Sequence, residues 1–226
     1  MPVRVGIIDS GLPAGTCRGL VAAADFSAGS EDGSVVDLLG HGAAVTAQIA
    51  GPEVEICAAR VFNRRLSCTP AEVAGAIDWL LEQDVRIINM SFGLRDDRSP
   101  LRHACERAMA QGVCLVAASP AQGAAVYPAN TVGVVRATGD ARCSPGEISW
   151  LASRQADFGG YPGQQNHGPA GASIGCASVT AALAALAAQI SHRSPALLCQ
   201  ELKATAIFQG PEQRFAPGTG AEVRIQ

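Results

Sequence analysis

Short, largely apolar runs that alternate with helix patterns place the strongest constraint on the fold of this chain. Each run is bounded by Gly, Asp or Ser, which is typical of strands buried on both faces of a parallel sheet. Because helix patterns separate the runs, the order predicts a doubly wound α/β domain, a mostly parallel sheet flanked by helices. The predicted strands cover 3–9, 55–62, 85–92, 112–119 and 131–138.

Capping signals mark the starts of two predicted helices. Thr69 is an N-cap, Pro70 occupies the first turn, and Glu72 completes a capping box. Ser194, followed by Pro195, predicts the start of a last helix. The segment from about 140 to 169 is irregular and rich in Gly and Pro, which predicts a long surface region. The helix patterns cover 41–50, 69–84, 100–112, 173–189 and 194–206, within a single expected domain over residues 1–226.

The composition argues against several classes of function. Only 16% of the residues are charged and the formal net charge is −3, so no basic surface is expected to attract nucleic acid. We expect no membrane span, and no signal peptide or pro-segment before the first strand at about Val3. The eight cysteines show no metal-ligand or CxxC spacing, which favours reduced, mostly buried thiols. A cytoplasmic protein without cofactors is therefore expected.

Polar residues that follow strands or open helices are the candidates for chemistry. Asp9 ends the first predicted strand, His41 opens a helix, and Ser173 opens the Ala-rich helix. In doubly wound sheets, reactive groups gather where the strands end. Asp, His and Ser in this chain order is one arrangement of the hydrolytic triad, in which the imidazole takes the serine proton and the carboxylate orients the imidazole. The alternative for Ser173 is a plain helix N-cap.

The local sequences around these residues resemble those of the subtilisin-like serine peptidases over about residues 3–190. "VGIIDSGL" matches the family's Asp-Ser/Thr-Gly motif at Asp9, "HGAAV" matches the histidine motif at His41, and "GASIG" matches the nucleophile motif at Ser173. The resemblance implies a catalytic triad of these three residues in a serine endopeptidase. It also implies that the N–H of Ser173, at a helix start, points to the developing oxyanion.

The same resemblance implies a groove for an extended peptide substrate. The "SFG" segment, Ser91, Phe92 and Gly93, matches the edge that pairs with the substrate backbone as an added β-strand. Gly93 is then expected to leave room for the side chain that enters the main specificity pocket. Leu66 and Ser67 fall on the opposite edge of the groove.

The sequence departs from the family pattern at the oxyanion site. The asparagine that supplies a second oxyanion donor is replaced by Pro120 in "VAASPAQG", which leaves Ser119 and Gln122 as the nearest candidate donors. A short connection after the first helix implies that the family's calcium-binding loop is deleted, so no metal site is expected. Three smaller departures leave the triad intact, at Ala44, Ala172 and Ala177.

Three other features keep a simpler interpretation beside the functional one. Arg64 and Arg65 precede the groove residues and are either contacts for an acidic substrate side chain or solvated surface charges. Cys176 lies one helical turn after Ser173, and a buried thiol is favoured over a second nucleophile. Asn89, in "INMS", is a candidate brace for the site.

Two functions follow from these observations. The first is an intracellular serine endopeptidase that processes a specific peptide or small-protein precursor, removing its leader peptide. The second is a pseudopeptidase that holds a peptide in the groove without cutting it, and Pro120 is the residue that favours it.

Overall fold

The structure, a computed structural model, describes residues 2–28, 33–164, 168–189 and 194–212. Within these residues the strands are β1 (Val3–Asp9), β2 (Leu20–Asp25), β3 (Val54–Arg60), β4 (Ile87–Met90), β5 (Cys114–Ala118), β6 (Val135–Gly139), β7 (Ile148–Trp150), β8 (Phe158–Gly160) and β9 (Phe208–Gln209). The helices are α1 (His41–Ile49), α2 (Pro70–Glu82), α3 (Ser99–Ala110), α4 (Ala172–Gln189) and α5 (Pro195–Thr205).

The strands form one sheet in the order β2-β3-β1-β4-β5-β6-β8-β7-β9. All neighbours are parallel except β7 and β8, which pair antiparallel. The predicted doubly wound, mostly parallel sheet is therefore confirmed, as are its five inner strands and five helices. The capping box at Thr69 and the cap at Ser194 are also present.

The prediction of a surface region over 140–169 was wrong for part of that segment. β7 and β8 lie within it, and Ser149 and Phe158 are almost completely buried. The side chain of Phe158 packs edge-on against Trp150, with ring centroids 4.9 Å apart. These two strands are each three residues long, which is too short for a periodic sequence pattern.

Helices cover both faces of the sheet, and the alternation of side chains along each strand sends residues to one face or the other. In β1, Val3, Val5 and Ile7 join the core that α1, α4 and α5 cover, whereas Ile8 joins the core under α2 and α3. The same two-residue period places Asp9, the last residue of β1, on the side of α1 and α4. The alternation of side chains along β1 thus directs this carboxylate toward the helix that begins with His41.

Close backbone contact with the sheet explains the small residues at the start of α4. A Cβ atom on Gly175 would lie 2.2 Å from the carbonyl oxygen of Thr138 and 2.4 Å from the nitrogen of Gly139, both in β6. α4 is long and apolar enough to cross a membrane by length and composition alone, but 56% of it is buried within the protein. Packing on the sheet accounts for its apolar character.

Replacing Gly175 by alanine is expected to destabilise the fold. Helix propensity alone favours alanine by about 1 kcal/mol. Overpacking against the neighbouring strand costs about 1–3 kcal/mol. The steric cost should be the larger of the two because the nearby atoms belong to the backbone and cannot move aside easily. Urea denaturation of Gly175→Ala measures the net change in the free energy of unfolding. The matched control is Ala185→Gly on the exposed side of α4, which loses only the propensity, about 1 kcal/mol. A stabilised Gly175→Ala protein would contradict the packing argument.

All eight cysteines are free, and five of them are buried. This confirms the prediction of mostly buried thiols. Cys105 on α3 and Cys114 on β5 lie on opposite faces of the sheet, in separate parts of the core.

Candidate active site

The fold brings the three predicted catalytic residues to one end of the sheet. Asp9 is the last residue of β1, His41 is the first of α1, and Ser173 is the second of α4. Since α1 and α4 pack against each other on the same face, residues far apart in sequence converge there. His41 and Ser173 line one cleft with a volume of about 430 Å³.

The carboxylate of Asp9 orients the imidazole of His41. The Oδ1 atom of Asp9 lies 2.7 Å from the Nδ1 atom of His41, and the Asp9 residue is 1% exposed. The same Oδ1 accepts hydrogen bonds from the N–H and the hydroxyl group of Ser10. The Ser10 hydroxyl in turn accepts from the N–H of Gly42, 2.8 Å away. These contacts fix the strand end and the helix start relative to each other.

Gly42 is required by the close approach of α1 to the end of β1. A Cβ atom on Gly42 would lie 2.4 Å from the carbonyl oxygen of Gly11 and 2.9 Å from its nitrogen. The "HG" pair of the histidine motif therefore has a steric cause, because any side chain after His41 would push the imidazole away from Asp9.

The electrostatic surroundings make His41 a stronger base than a free imidazole. Burial lowers the pKa of His41, but the hydrogen bond and charge of Asp9 and the charge of Asp37 raise it by more, so that the net pKa lies above the ordinary value. Asp37 also accepts hydrogen bonds from the N–H groups of Leu39 and Ala43, and so caps α1 where Gly40 has no side chain. Sequence reasoning missed Asp37, although an aspartate just before a helix start is a recognisable capping signal.

The hydroxyl group of Ser173 is in the cleft but is turned toward a backbone carbonyl. Its Oγ atom donates to the carbonyl oxygen of Ser91 over 2.9 Å. α4 begins one residue earlier, at Ala172, so Ser173 lies inside the first turn and is not its N-cap. This hydroxyl forms no hydrogen bond with the His41 imidazole in the structure, although both residues are described and line the same cleft.

A buried hydrogen-bonded chain holds the backbone at Ser173. The hydroxyl of Ser91, 1% exposed, donates to the carbonyl oxygen of Ser173 over 2.9 Å. The side-chain amide N–H of Asn89 donates to the hydroxyl of Ser91. The side-chain amide oxygen of Asn89 accepts a hydrogen bond from the hydroxyl of Thr180, 2.9 Å away. The interpretation of Asn89 as a brace agrees with these contacts. Cys176 contacts the same amide, and burial raises the pKa of its thiol to about 12, as befits an unreactive core thiol.

The predicted groove residues line the cleft together with others that the sequence did not indicate. Phe92, Gly93, Leu66 and Ser67 lie along it. Cys68, at the end of the segment expected on the opposite edge, also lines it, and the residues that were missed are Phe62, Leu94 and Arg95. One face of Gly93 is covered by Val126, whose side chain would lie 2.7 Å from a Cβ atom added to the glycine. On that face, the space expected beside Gly93 is occupied.

The candidate oxyanion donors lie elsewhere. The hydroxyl of Ser119 is buried and donates to the carbonyl oxygen of Gln155 over 2.7 Å. Gln122 is exposed, and neither residue is among those that line the cleft with His41 and Ser173. Within the part of the chain that the structure describes, no group of three His, Cys, Asp or Glu side chains has an arrangement suited to a metal ion.

A doubly wound sheet that carries an Asp–His pair beside a serine in a helix's first turn is one of the α/β scaffolds on which the Ser-His-Asp constellation occurs. Within this class, the chain belongs to the subtilase family, whose family model, Peptidase_S8, matches residues 3–220.

Comparison with individual proteins agrees with the family. The chain is 32% identical over 143 residues to subtilisin DY of Bacillus licheniformis, covering 58% of this chain and 51% of that protein. It is 35% identical over 111 residues to the subtilisin-like protease het-Q2 of Podospora anserina, covering 43% and 30%. The matches span about half or less of these relatives' length.

Two solved structures have the same fold. A cold-adapted subtilisin-like serine proteinase superposes with a TM-score of 0.68 and 22% identity, over 89% of this chain and 81% of that one. The S41 psychrophilic protease gives a TM-score of 0.66 at 19% identity, over 92% and 85%.

Proposed function

We propose that this protein is a serine endopeptidase that cleaves a peptide bond through an acyl-enzyme. The observation that carries the proposal is the 2.7 Å contact between Asp9 and His41, together with the position of His41 in the same cleft as Ser173. In the proposed reaction, His41 is base and then acid, Asp9 holds its tautomer and stabilises the imidazolium, and Ser173 attacks. The N–H of Ser173 contributes to the oxyanion site, with a second donor from outside the pair Ser119 and Gln122.

The hydrogen bond from the Ser173 hydroxyl to the Ser91 carbonyl must break before Ser173 can act, and we infer that substrate binding breaks it. A substrate strand that pairs with segment 91–93 presents backbone N–H groups to that edge. An N–H that binds the carbonyl of Ser91 displaces the Ser173 hydroxyl, which then rotates toward Nε2 of His41. Proton transfer to His41, attack on the substrate carbonyl and protonation of the departing amine follow. Water then hydrolyses the acyl-enzyme by the same route.

The finer proposal is a cytoplasmic processing enzyme that removes a leader peptide from one precursor. The free cysteines support it, because unpaired thiols suit a reducing compartment. Pro120 also supports it, since a weak oxyanion site suits a slow enzyme with a dedicated substrate. One candidate role of this kind is that of the leader-cleaving peptidase of quinohemoprotein amine dehydrogenase maturation. Incubation with the products of neighbouring genes, followed by mass spectrometry, would reveal a discrete cut.

A fluorophosphonate probe tests the proposed chemistry directly. Phosphonylation of the serine oxygen, with loss of fluoride, requires an activated serine, and we expect a single adduct that peptide mapping assigns to Ser173. His41→Ala should abolish the adduct while leaving the circular dichroism spectrum unchanged, because the base is lost and the fold is not. An adduct on another serine, or equal labelling of His41→Ala, would contradict the assignment.

A peptide-binding pseudopeptidase is the second candidate function. Two observations favour it: Pro120 has no N–H to donate, and the hydroxyl of Ser119 is already bonded to Gln155. Such a protein would bind peptides in the cleft but form no fluorophosphonate adduct. Labelling at Ser173 excludes this candidate.

A further inference from the structure

A second cavity adjoins the catalytic cleft and carries two arginines that form no ion pair with any residue that the structure describes. It has a volume of about 530 Å³ and lies between the end of β2, segment 63–68 and the start of α2. Ser67 and Cys68 line both this cavity and the catalytic cleft. The two cavities therefore adjoin at Ser67 and Cys68.

The arginines that line these two cavities differ from most others in the protein. Arg64 and Arg65 line the second cavity, and Arg95 lines the cleft. Elsewhere in the described chain, seven arginines form ion pairs with Asp or Glu, whereas these three form none with any described residue. On a protein of net charge −3, guanidinium groups without an ion-pair partner among the described residues are candidates for binding a carboxylate ligand.

The lining offers little negative charge to satisfy these groups. Glu72 is the only carboxylate among the described residues that line either cavity. Its oxygens accept hydrogen bonds from the N–H groups of Thr69 and Ala28, so they serve the cap of α2. The charge of Glu72 offsets one guanidinium of three.

The segment that carries Arg64 and Arg65 is anchored at both ends. Before it, the buried side chain of Arg60 binds the amide oxygen of Asn63 and the carbonyl oxygen of Ser34. After it, Thr69 forms the capping box with Glu72. A backbone fixed in this way loses less entropy when the arginines bind a ligand.

We propose that this cavity is a subsite for acidic side chains of the peptide substrate, bound by Arg64 and Arg65. The inference rests on the proposed function, since it concerns a region of the substrate that lies beyond the scissile bond. Of the two interpretations of these exposed arginines, the proposal takes the contact for an acidic substrate side chain, because both line a cavity that adjoins the cleft. The substrate class is a peptide with Glu or Asp near the cleavage site.

Peptide binding to the Ser173→Ala variant tests the inference without depending on turnover. The probes are fluorescein-labelled peptides of Ala, Ser and Gly in which a Glu-Glu pair, or a matched Gln-Gln pair, is moved along the chain. We expect fluorescence anisotropy to give, at one register, a Kd about five- to tenfold lower for Glu-Glu. High salt should remove this difference.

The arginine variants, made in the Ser173→Ala background, identify the source of the preference. Arg64→Gln/Arg65→Gln should bring the ratio of the two Kd values close to one, and Arg64→Lys/Arg65→Lys should restore part of it because the charge remains. The control is Arg107→Gln on α3, whose guanidinium pairs with Asp78 away from the cleft. This variant should keep the full preference.

The failures of this inference and of the proposed function are distinguishable. Equal Kd values for the Glu-Glu and Gln-Gln peptides at every register would overturn the acidic subsite, even if the wild-type protein reacts with the fluorophosphonate. A preference that survives Arg64→Gln/Arg65→Gln would also overturn it. Conversely, if the wild-type protein forms no adduct but binds the Glu-Glu peptide more tightly than the Gln-Gln peptide, the proposed activity is contradicted and the acidic subsite is supported.

Discussion

Replacing Ser173 by alanine is expected to lower kcat for peptide hydrolysis by about 10⁶-fold. The reason is that Ser173 is the nucleophile of the proposed reaction, and the thiol nearest to it along α4 is not suited to replace it. Cys176, one turn further along α4, is buried, with a thiol pKa of about 12, and it faces Asn89 rather than the cleft. The measurement is the initial rate on a fluorogenic peptide that the wild-type protein cleaves.

The residual activity of Ser173→Ala carries information as well. Binding and oxyanion contacts alone leave a catalytic effect of about 10³–10⁴-fold over water in enzymes with this triad. Because Pro120 replaces an oxyanion donor, we expect the remaining rate enhancement of Ser173→Ala over the uncatalysed reaction to lie at or below this range. The control is Ser99→Ala, an exposed serine at the start of α3, which should retain full activity. A Ser173→Ala protein that retains more than a tenth of the wild-type rate would exclude the proposed nucleophile.

The inner strands of the fold could be predicted from the sequence because burial on both faces leaves a nearly unbroken apolar run. β4 and β5 show this most clearly, since every residue in both is buried. β2 was missed because one edge of it is open, and Leu20 and Val21 are exposed. β9 contains only two residues, so its pairing depends on tertiary contacts and not on a local pattern.

The positions of the catalytic candidates could be predicted because strand ends and helix starts follow from the order of elements. The acceptor of the Ser173 hydroxyl could not, since it depends on a side-chain torsion and on where the carbonyl of Ser91 points. The contact between Gly93 and Val126 could not be predicted from the sequence either. Val126 is 33 residues away along the chain, and it reaches Gly93 because Leu94 and Tyr127 exchange two backbone hydrogen bonds.

Replacing Asp9 by asparagine is expected to lower kcat by about 10⁴-fold, less than the loss of Ser173. Asparagine has nearly the same shape, so Ser10 can still donate to the amide oxygen. The variant lacks the negative charge that stabilises the imidazolium when His41 takes the proton of Ser173. The matched control is Asp157→Asn, which removes a half-buried carboxylate that pairs with Arg136 away from the cleft. This control should lower the free energy of unfolding and leave kcat nearly unchanged.

The pH dependence separates this electrostatic role from a purely structural one. Asp9 raises the pKa of His41, and kcat/KM requires the neutral imidazole, so the acidic limb of the wild-type profile lies at a higher pH than for an ordinary histidine. Removing the charge lowers the pKa of His41, and the acidic limb of Asp9→Asn should move to lower pH. A merely misfolded variant would lose activity at every pH alike. An unmoved or upward-shifted limb would show that Asp9 does not act on the charge of His41.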